Sequence, residues 1–129
     1  MAKILIIEDE PDVAESERML LERDDFTVEI ALGGAEGIRK IKSAKPNLIV
    51  LDLLMPMVSG TDVLDFLKKN GIGIPVVVAT ALSSVKGTRT ELEKSYRIDG
   101  FVSKTYLAED LVREVRSVLQ MRKSIKGKD

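Results

Sequence analysis

Three short runs in this chain are apolar at every successive position: Ile4-Leu5-Ile6-Ile7, Leu48-Ile49-Val50-Leu51 and Val76-Val77-Val78-Ala79. Successive side chains of a strand point to opposite faces, so a run without alternation needs both faces covered. An antiparallel sheet with one wet face does not ask for that; a parallel sheet with helices on either side does. Phe26-Thr27-Val28-Glu29-Ile30-Ala31 alternates and reads as an edge strand over 26–31, and Phe101-Val102-Ser103 makes a fifth, shorter one.

Helical segments fill the intervals. Pro11 suits a first helical position, and Val13, Met19 and Leu20 are expected to face inward over 11–24. Gly33-Gly34 precede a helix with Ile38 and Ile41, and Gly60-Thr61-Asp62 opens one with Val63, Phe66 and Leu67 that Gly71 ends. Residues 84–97 offer only Val85, Leu92 and Tyr96 as an apolar stripe, whereas Leu107, Leu111, Val115, Val118 and Leu119 mark a strong last helix. The reading is an α/β fold: one (βα)₅ doubly wound parallel sheet over 1–121, with right-handed crossovers placing helices on both faces. Residues 122–129, basic and without apolar period, read as a frayed tail or linker stub.

Composition narrows the chemistry. The 129 residues hold no cysteine and no histidine, which removes disulfides, thiolate and imidazole catalysis and zinc–thiolate sites. With 20 basic and 21 acidic side chains there is no electrostatic case for binding nucleic acid or a membrane surface. The longest apolar run is four residues, too short to span a bilayer. No basic-then-apolar leader precedes Ile4, so a cytoplasmic location is expected.

The runs end on polar residues: Glu8-Asp9, Asp52, Thr80 and Lys104. In a parallel sheet all these ends open on one edge, where open α/β sheets bind their ligands. Three carboxylates gathered there repel one another unless a cation offsets them. Oxygen donors without His or Cys favour a hard ion such as Mg²⁺. Lys104, Thr80 and backbone N–H groups would then suit a phosphate. With Cys and His absent, a carboxylate is the available nucleophile, and Asp52, standing singly after the most buried-looking strand, is the best placed. Taken singly, each residue has a structural account. Acids favour helix N-termini, a strand-end threonine bonds to backbone, a lone lysine is solvated, and Phe101 is a core residue. Their coincidence at one edge favours a site.

Glu8-Asp9, the segment Asp52-Leu53-Leu54-Met55-Pro56 followed by Gly60, Thr80-Ala81 and Lys104 together resemble the receiver domain of two-component response regulators. The resemblance covers about 1–121 and implies strand order 2-1-3-4-5. It implies that Asp52 accepts a phosphoryl group from a sensor histidine kinase, a histidine phosphotransfer protein or a small phosphodonor. It further implies that Glu8, Asp9, Asp52 and the backbone carbonyl of Leu54 arrange Mg²⁺, and that Thr80 and Lys104 contact the phosphoryl oxygens. Phe101 matches the family's aromatic switch, which turns inward as Thr80 moves. The implied output surface is the fourth helix, fifth strand and fifth helix, about 84–121, acting on a downstream protein or domain, with a phosphorylation-dependent dimer a further expectation. Such a domain catalyses only its own phosphorylation and dephosphorylation.

One residue departs from the family pattern: Thr105 follows Lys104 where a cis proline is usual. A cis bond before a non-proline costs about 2.5–4 kcal/mol, so a trans Lys104–Thr105 bond and a rearranged loop are expected. Leu54 and Leu82 occupy the positions that tune hydrolytic water in the family, and their apolar bulk predicts a long-lived phosphoryl group. Three competing readings remain at this stage. An aspartate-nucleophile phosphatase usually has a second acid where Leu54 stands. A flavodoxin-like cofactor binder lacks support from a phosphate-binding loop or Trp. A non-phosphorylated scaffold would not need the full acidic set.

Overall fold

Each of the five runs forms a strand in the computed structural model, which describes residues 2–81, 85–104 and 108–127. The strands β1 (Lys3–Ile7), β2 (Thr27–Ala31), β3 (Leu48–Asp52), β4 (Val76–Thr80) and β5 (Gly100–Ser103) pair in parallel in the order β2-β1-β3-β4-β5. Between and after them run α1 (Pro11–Arg23), α2 (Gly34–Ala44), α3 (Gly60–Lys69), α4 (Val85–Glu93) and α5 (Ala108–Gly127). The expected (βα)₅ sheet and its strand order are both found.

Continuous apolar strands do what their pattern demands. Every residue of β3 and of β4 is buried. Leu5, Ile7, Ile49, Leu51 and Val78 join Ile41 of α2 and Val63, Leu64 and Leu67 of α3 in one apolar layer. Ile4, Ile6, Leu48, Val50 and Val77 face the other way, onto Ala14 and Leu21 of α1 and Leu111, Val115 and Val118 of α5. At about 1.5–3 kcal/mol for each large side chain fully buried, these two layers are the main stabilising term. The edge strand β2 is only half-buried along most of its length, as its alternation requires.

Register then fixes where the strand ends meet. Ile7 pairs with Leu51, Asp52 with Ala79, and Thr80 with Ser103. The C-terminal ends of β1, β3, β4 and β5 are therefore level, and the residues following them share one edge.

Helix ends follow local chemistry. Pro11 opens α1 as expected. Ser59 and Asp62 form a reciprocal capping box at the start of α3, and Gly71, with φ of 60°, follows its C-cap Asn70. Three helices differ from expectation, one of them α4, which ends at Glu93 and leaves Tyr96 beyond it. On α1 the inward stripe is Ala14, Glu17 and Leu21, while Met19 is exposed and Val13 and Leu20 are half-buried. The stripe steps by three and four residues, and small Ala14 and acidic Glu17 disguise it. The backbone of α5 also continues to Gly127, beyond the loss of apolar period near residue 122. Gln120, Met121 and Arg122 are good helix formers, and Arg122 donates a hydrogen bond to the carbonyl of Gly73. The weak stripe on α4 matches its packing, for Leu92, and Tyr96 just after the helix, only partly bury against the core. No helix among the described residues is long and apolar enough to cross a membrane.

Candidate functional site

The level strand ends place Glu8 and Asp9 directly after β1, Asp52 and Thr80 as the last residues of β3 and β4, and Lys104 directly after β5. One carboxylate oxygen from each of Glu8, Asp9 and Asp52 lies within 4.8 Å of the other two, and no other group of three acids among the described residues is so placed. Glu8 and Asp52 are buried, with 1% and 5% of their surface exposed, and Asp9 is half-buried.

Lys104 spans the two buried acids. Its Nζ donates to Glu8 Oε1 and lies 3.2 Å from Asp52 Oδ2. The second oxygen of Glu8 accepts the backbone N–H of Glu10 at 3.1 Å, and Asp52 Oδ1 accepts the N–H of Leu54 at 3.3 Å. Lys104 is itself placed by backbone, its N–H donating to the carbonyl of Thr80 at 2.7 Å. Sequence reading has no access to the Glu10 and Leu54 amides, because they follow from the turn each loop makes after its strand.

Burial and pairing pull on the titrating groups in opposite directions. Burial pushes the Glu8 carboxyl up from 4.5 to about 7, with the charge of Asp52 adding to the rise. The hydrogen bonds from Lys104 and Glu10 act against this and do not overcome it. At Lys104 burial disfavours the ammonium, but the Glu8 hydrogen bond and the charges of Asp52 and Glu8 outweigh it and hold its pKa above the usual lysine value. The pair therefore favours a charged lysine beside an acid that is easily protonated near neutrality.

The donor set suits a hard divalent ion. Six oxygens at 2.0–2.1 Å from Mg²⁺ stand about 3 Å apart when adjacent and about 4 Å when opposite. Three carboxylate oxygens within 4.8 Å of one another need only small movements to meet that spacing. All donors are oxygen, which again suits Mg²⁺ over softer metals.

Around this group the remaining residues are placed as follows. Thr80 is fully buried at the end of β4. Leu54 is in the loop from β3 to α3 and its side chain is 55% exposed. Phe101 is 8% exposed and lies in the core layer with Ile98, and its N–H donates to Glu114 Oε2 of α5 at 3.0 Å. Sequence reading did not single out Glu114; an acid four residues from Asp110 on a charged helix carries no signal of its own. Leu82 and the Lys104–Thr105 bond lie outside the described residues.

The comparison with known proteins gives the family. Residues 4–116 match the family model described as the response regulator receiver domain. The response regulator MprA of Mycobacterium ulcerans is 33% identical over 121 residues, which cover 94% of this chain and 51% of that protein. The chain thus spans about half the length of the curated relatives it matches. A signal receiver domain from Vibrio parahaemolyticus superposes with a TM-score of 0.88 at 29% identity, covering 99% of this chain and 97% of that one. The response regulator TrrA from Thermotoga maritima, solved in complex with Mg²⁺–BeF, gives 0.80 at 25% identity, covering 92% and 99%. With its strand order, its acidic edge and a family match over most of its length, the chain belongs to the response regulator receiver domains of two-component signalling.

Proposed function

We propose that this receiver domain takes a phosphoryl group onto Asp52 and uses it as a reversible switch. The observation that carries this reading is the cluster of Glu8, Asp9 and Asp52 oxygens within 4.8 Å, with Lys104 spanning two of the three acids. In the reaction, an Asp52 carboxylate oxygen attacks phosphorus. The phosphorus–nitrogen bond of a phosphohistidine, or the phosphorus–oxygen bond of acetyl phosphate, breaks, and imidazole or acetate leaves with the electron pair. The product is an acyl phosphate.

The chain's own residues have distinct tasks. Glu8, Asp9, Asp52 and the Leu54 carbonyl would hold Mg²⁺, which, when bound, supplies charge to the phosphoryl oxygens and holds them in line. Lys104, already 3.2 Å from Asp52 Oδ2, meets a phosphoryl oxygen with its ammonium. The hydroxyl of Thr80 donates to another oxygen, and Phe101, already buried in the core layer, packs on the inward side that the family's switch requires. Output passes through α4, β5 and α5 to a downstream protein or domain. The domain catalyses only its own phosphorylation and dephosphorylation, and a cytoplasmic histidine kinase or phosphotransfer protein is its donor. TrrA, solved with Mg²⁺–BeF, lends this reading support by likeness.

Incubation with Mg²⁺ and acetyl phosphate tests it. Intact mass spectrometry should show one added phosphoryl group on the native protein and none on Asp52→Asn. No adduct on the native protein would sink the proposal.

A further inference from the structure

The loop that carries Leu54, between β3 and α3, is gripped from two sides. On the α3 side, Gly60 lies so close that a Cβ there would fall 2.3 Å from the carbonyl oxygen of Asp52 and 2.6 Å from Leu53 Cα. On the far side the start of α2 closes in: a Cβ on Gly34 would fall 2.3 Å from the carbonyl oxygen of Val58 and 2.6 Å from Val58 Cγ1. Between the two, Met57 adopts a left-handed backbone with φ of 64°. A non-glycine residue in that region persists only where its surroundings enforce it, at a cost on the order of 1–3 kcal/mol.

Neighbouring Gly33 is glycine for a different reason. Its φ is 110°, and a Cβ there would meet nothing within 4 Å. Gly34 has no such backbone requirement, being the first residue of α2, where alanine would ordinarily be at least as good. Only the approach of Val58 demands glycine at 34. The closest atom is a backbone oxygen, so relief requires the loop itself to move.

From this contact we infer that Gly34 is a positioning residue for the phosphoacceptor site. The N-terminus of α2 presses on Val58 and thereby sets the path of residues 53–59, which include the Leu54 carbonyl and follow Asp52. This rests on the reading of Asp52, Leu54 and the two β1-end acids as a Mg²⁺ site. Displacing supports behind metal ligands typically costs 10–100-fold in affinity.

The test compares Gly34→Ala with Gly33→Ala, using calorimetric titration with MgCl₂ and amide chemical shifts of residues 53–59. Gly34→Ala should weaken Mg²⁺ binding by about tenfold or more and shift the loop amides. Gly33→Ala should lower the melting temperature through its strained φ, while the folded protein binds Mg²⁺ within about twofold of native. Val58→Gly removes the Cγ1 half of the contact, leaves the backbone oxygen and frees the loop's path, and should also weaken Mg²⁺ binding several-fold; it decides the matter should Gly34→Ala not fold. Native-like Mg²⁺ affinity in folded Gly34→Ala, or in Val58→Gly if that variant must decide, overturns the role given to Gly34 and leaves the phosphoacceptor reading standing. A native protein that neither binds Mg²⁺ nor labels with acetyl phosphate overturns both.

Discussion

The raised Glu8 carboxyl would make the proposed divalent-cation site a pH-dependent one near neutrality. Unfolded, Glu8 should titrate near its usual 4.5; folded and free of metal, it titrates at about 7 because burial outweighs its hydrogen bonds from Lys104 and Glu10. The folded protein therefore holds more protons than the unfolded chain between those two values, so stability falls as pH rises through the window. At 1.36 kcal/mol per pH unit, the span from 4.5 to about 7 corresponds to about 3 kcal/mol. That contribution is fully present below pH 4.5 and gone above pH 7. It has the opposite sign to the usual salt-bridged acid, whose contribution is lost on acidification.

Cation binding runs the other way. A metal needs the Glu8 carboxylate ionised, so binding below pH 7 must displace a proton. Mg²⁺ affinity should fall about tenfold between pH 8 and pH 6, and level off above pH 8. Calorimetric titration at pH 6 and pH 8, each in two buffers of different ionisation enthalpy, counts the protons released. Close to one is expected at pH 6 and close to none at pH 8, and Glu8→Gln should remove the difference. Equal affinity at the two pH values, or no proton released at pH 6, would refute the claim that burial holds Glu8 protonated near neutrality.

Two substitutions probe the same corner. Lys104→Met removes the ammonium that spans Glu8 and Asp52 while keeping an apolar stem. It should cost about 2 kcal/mol in urea melts at pH 8, and less at pH 6, where Glu8 carries its own proton. Equal costs at both pH values would contradict the pairing. Leu54→Asn replaces a half-exposed apolar side chain beside the acceptor with one able to orient water. Loss of the phosphoryl group from Asp52 should quicken several-fold, followed by mass spectrometry after removal of the donor. An unchanged decay would show that the leucine does not exclude water.

Much of this could be read in one dimension, and the reasons are specific. β3 and β4 were found because strands buried on both faces cannot alternate, and the run ends carried Asp52 and Thr80 with them. β2 was found as an edge because Thr27 and Glu29 interrupt its apolar residues. The stripe on α1 failed because Glu17 lies on the buried face, and hydrophobic periodicity has no way to count a buried acid. The length of α5 failed for a related reason. Apolar period reports what a helix packs against, whereas its last turns rest on helix propensity and on Arg122 reaching the Gly73 carbonyl.

Within the site the division is sharper. Residue identity at strand ends is a linear property, and it named Glu8, Asp9, Asp52, Thr80 and Lys104. Protonation is a property of the assembled volume. Glu8 and Asp9 are adjacent acids in the sequence, yet Glu8 is almost fully buried against Lys104 and Asp9 is half-exposed. Fully ionised, the three acids and Lys104 carry two net negative charges. An acyl phosphate at Asp52 exchanges one carboxylate charge for roughly two on the phosphoryl oxygens, which deepens that deficit. One ammonium, already shared between Glu8 and Asp52, does not offset it. A proton on Glu8 halves the charge of the resting site, leaving one net negative charge, but occupies an oxygen that a metal would need. A divalent ion offsets the charge while requiring that carboxylate to be free. On the proposed function, the same burial that makes Glu8 easily protonated sets proton and metal in competition for a single oxygen pair, and phosphoryl uptake at Asp52 would follow whichever of them wins.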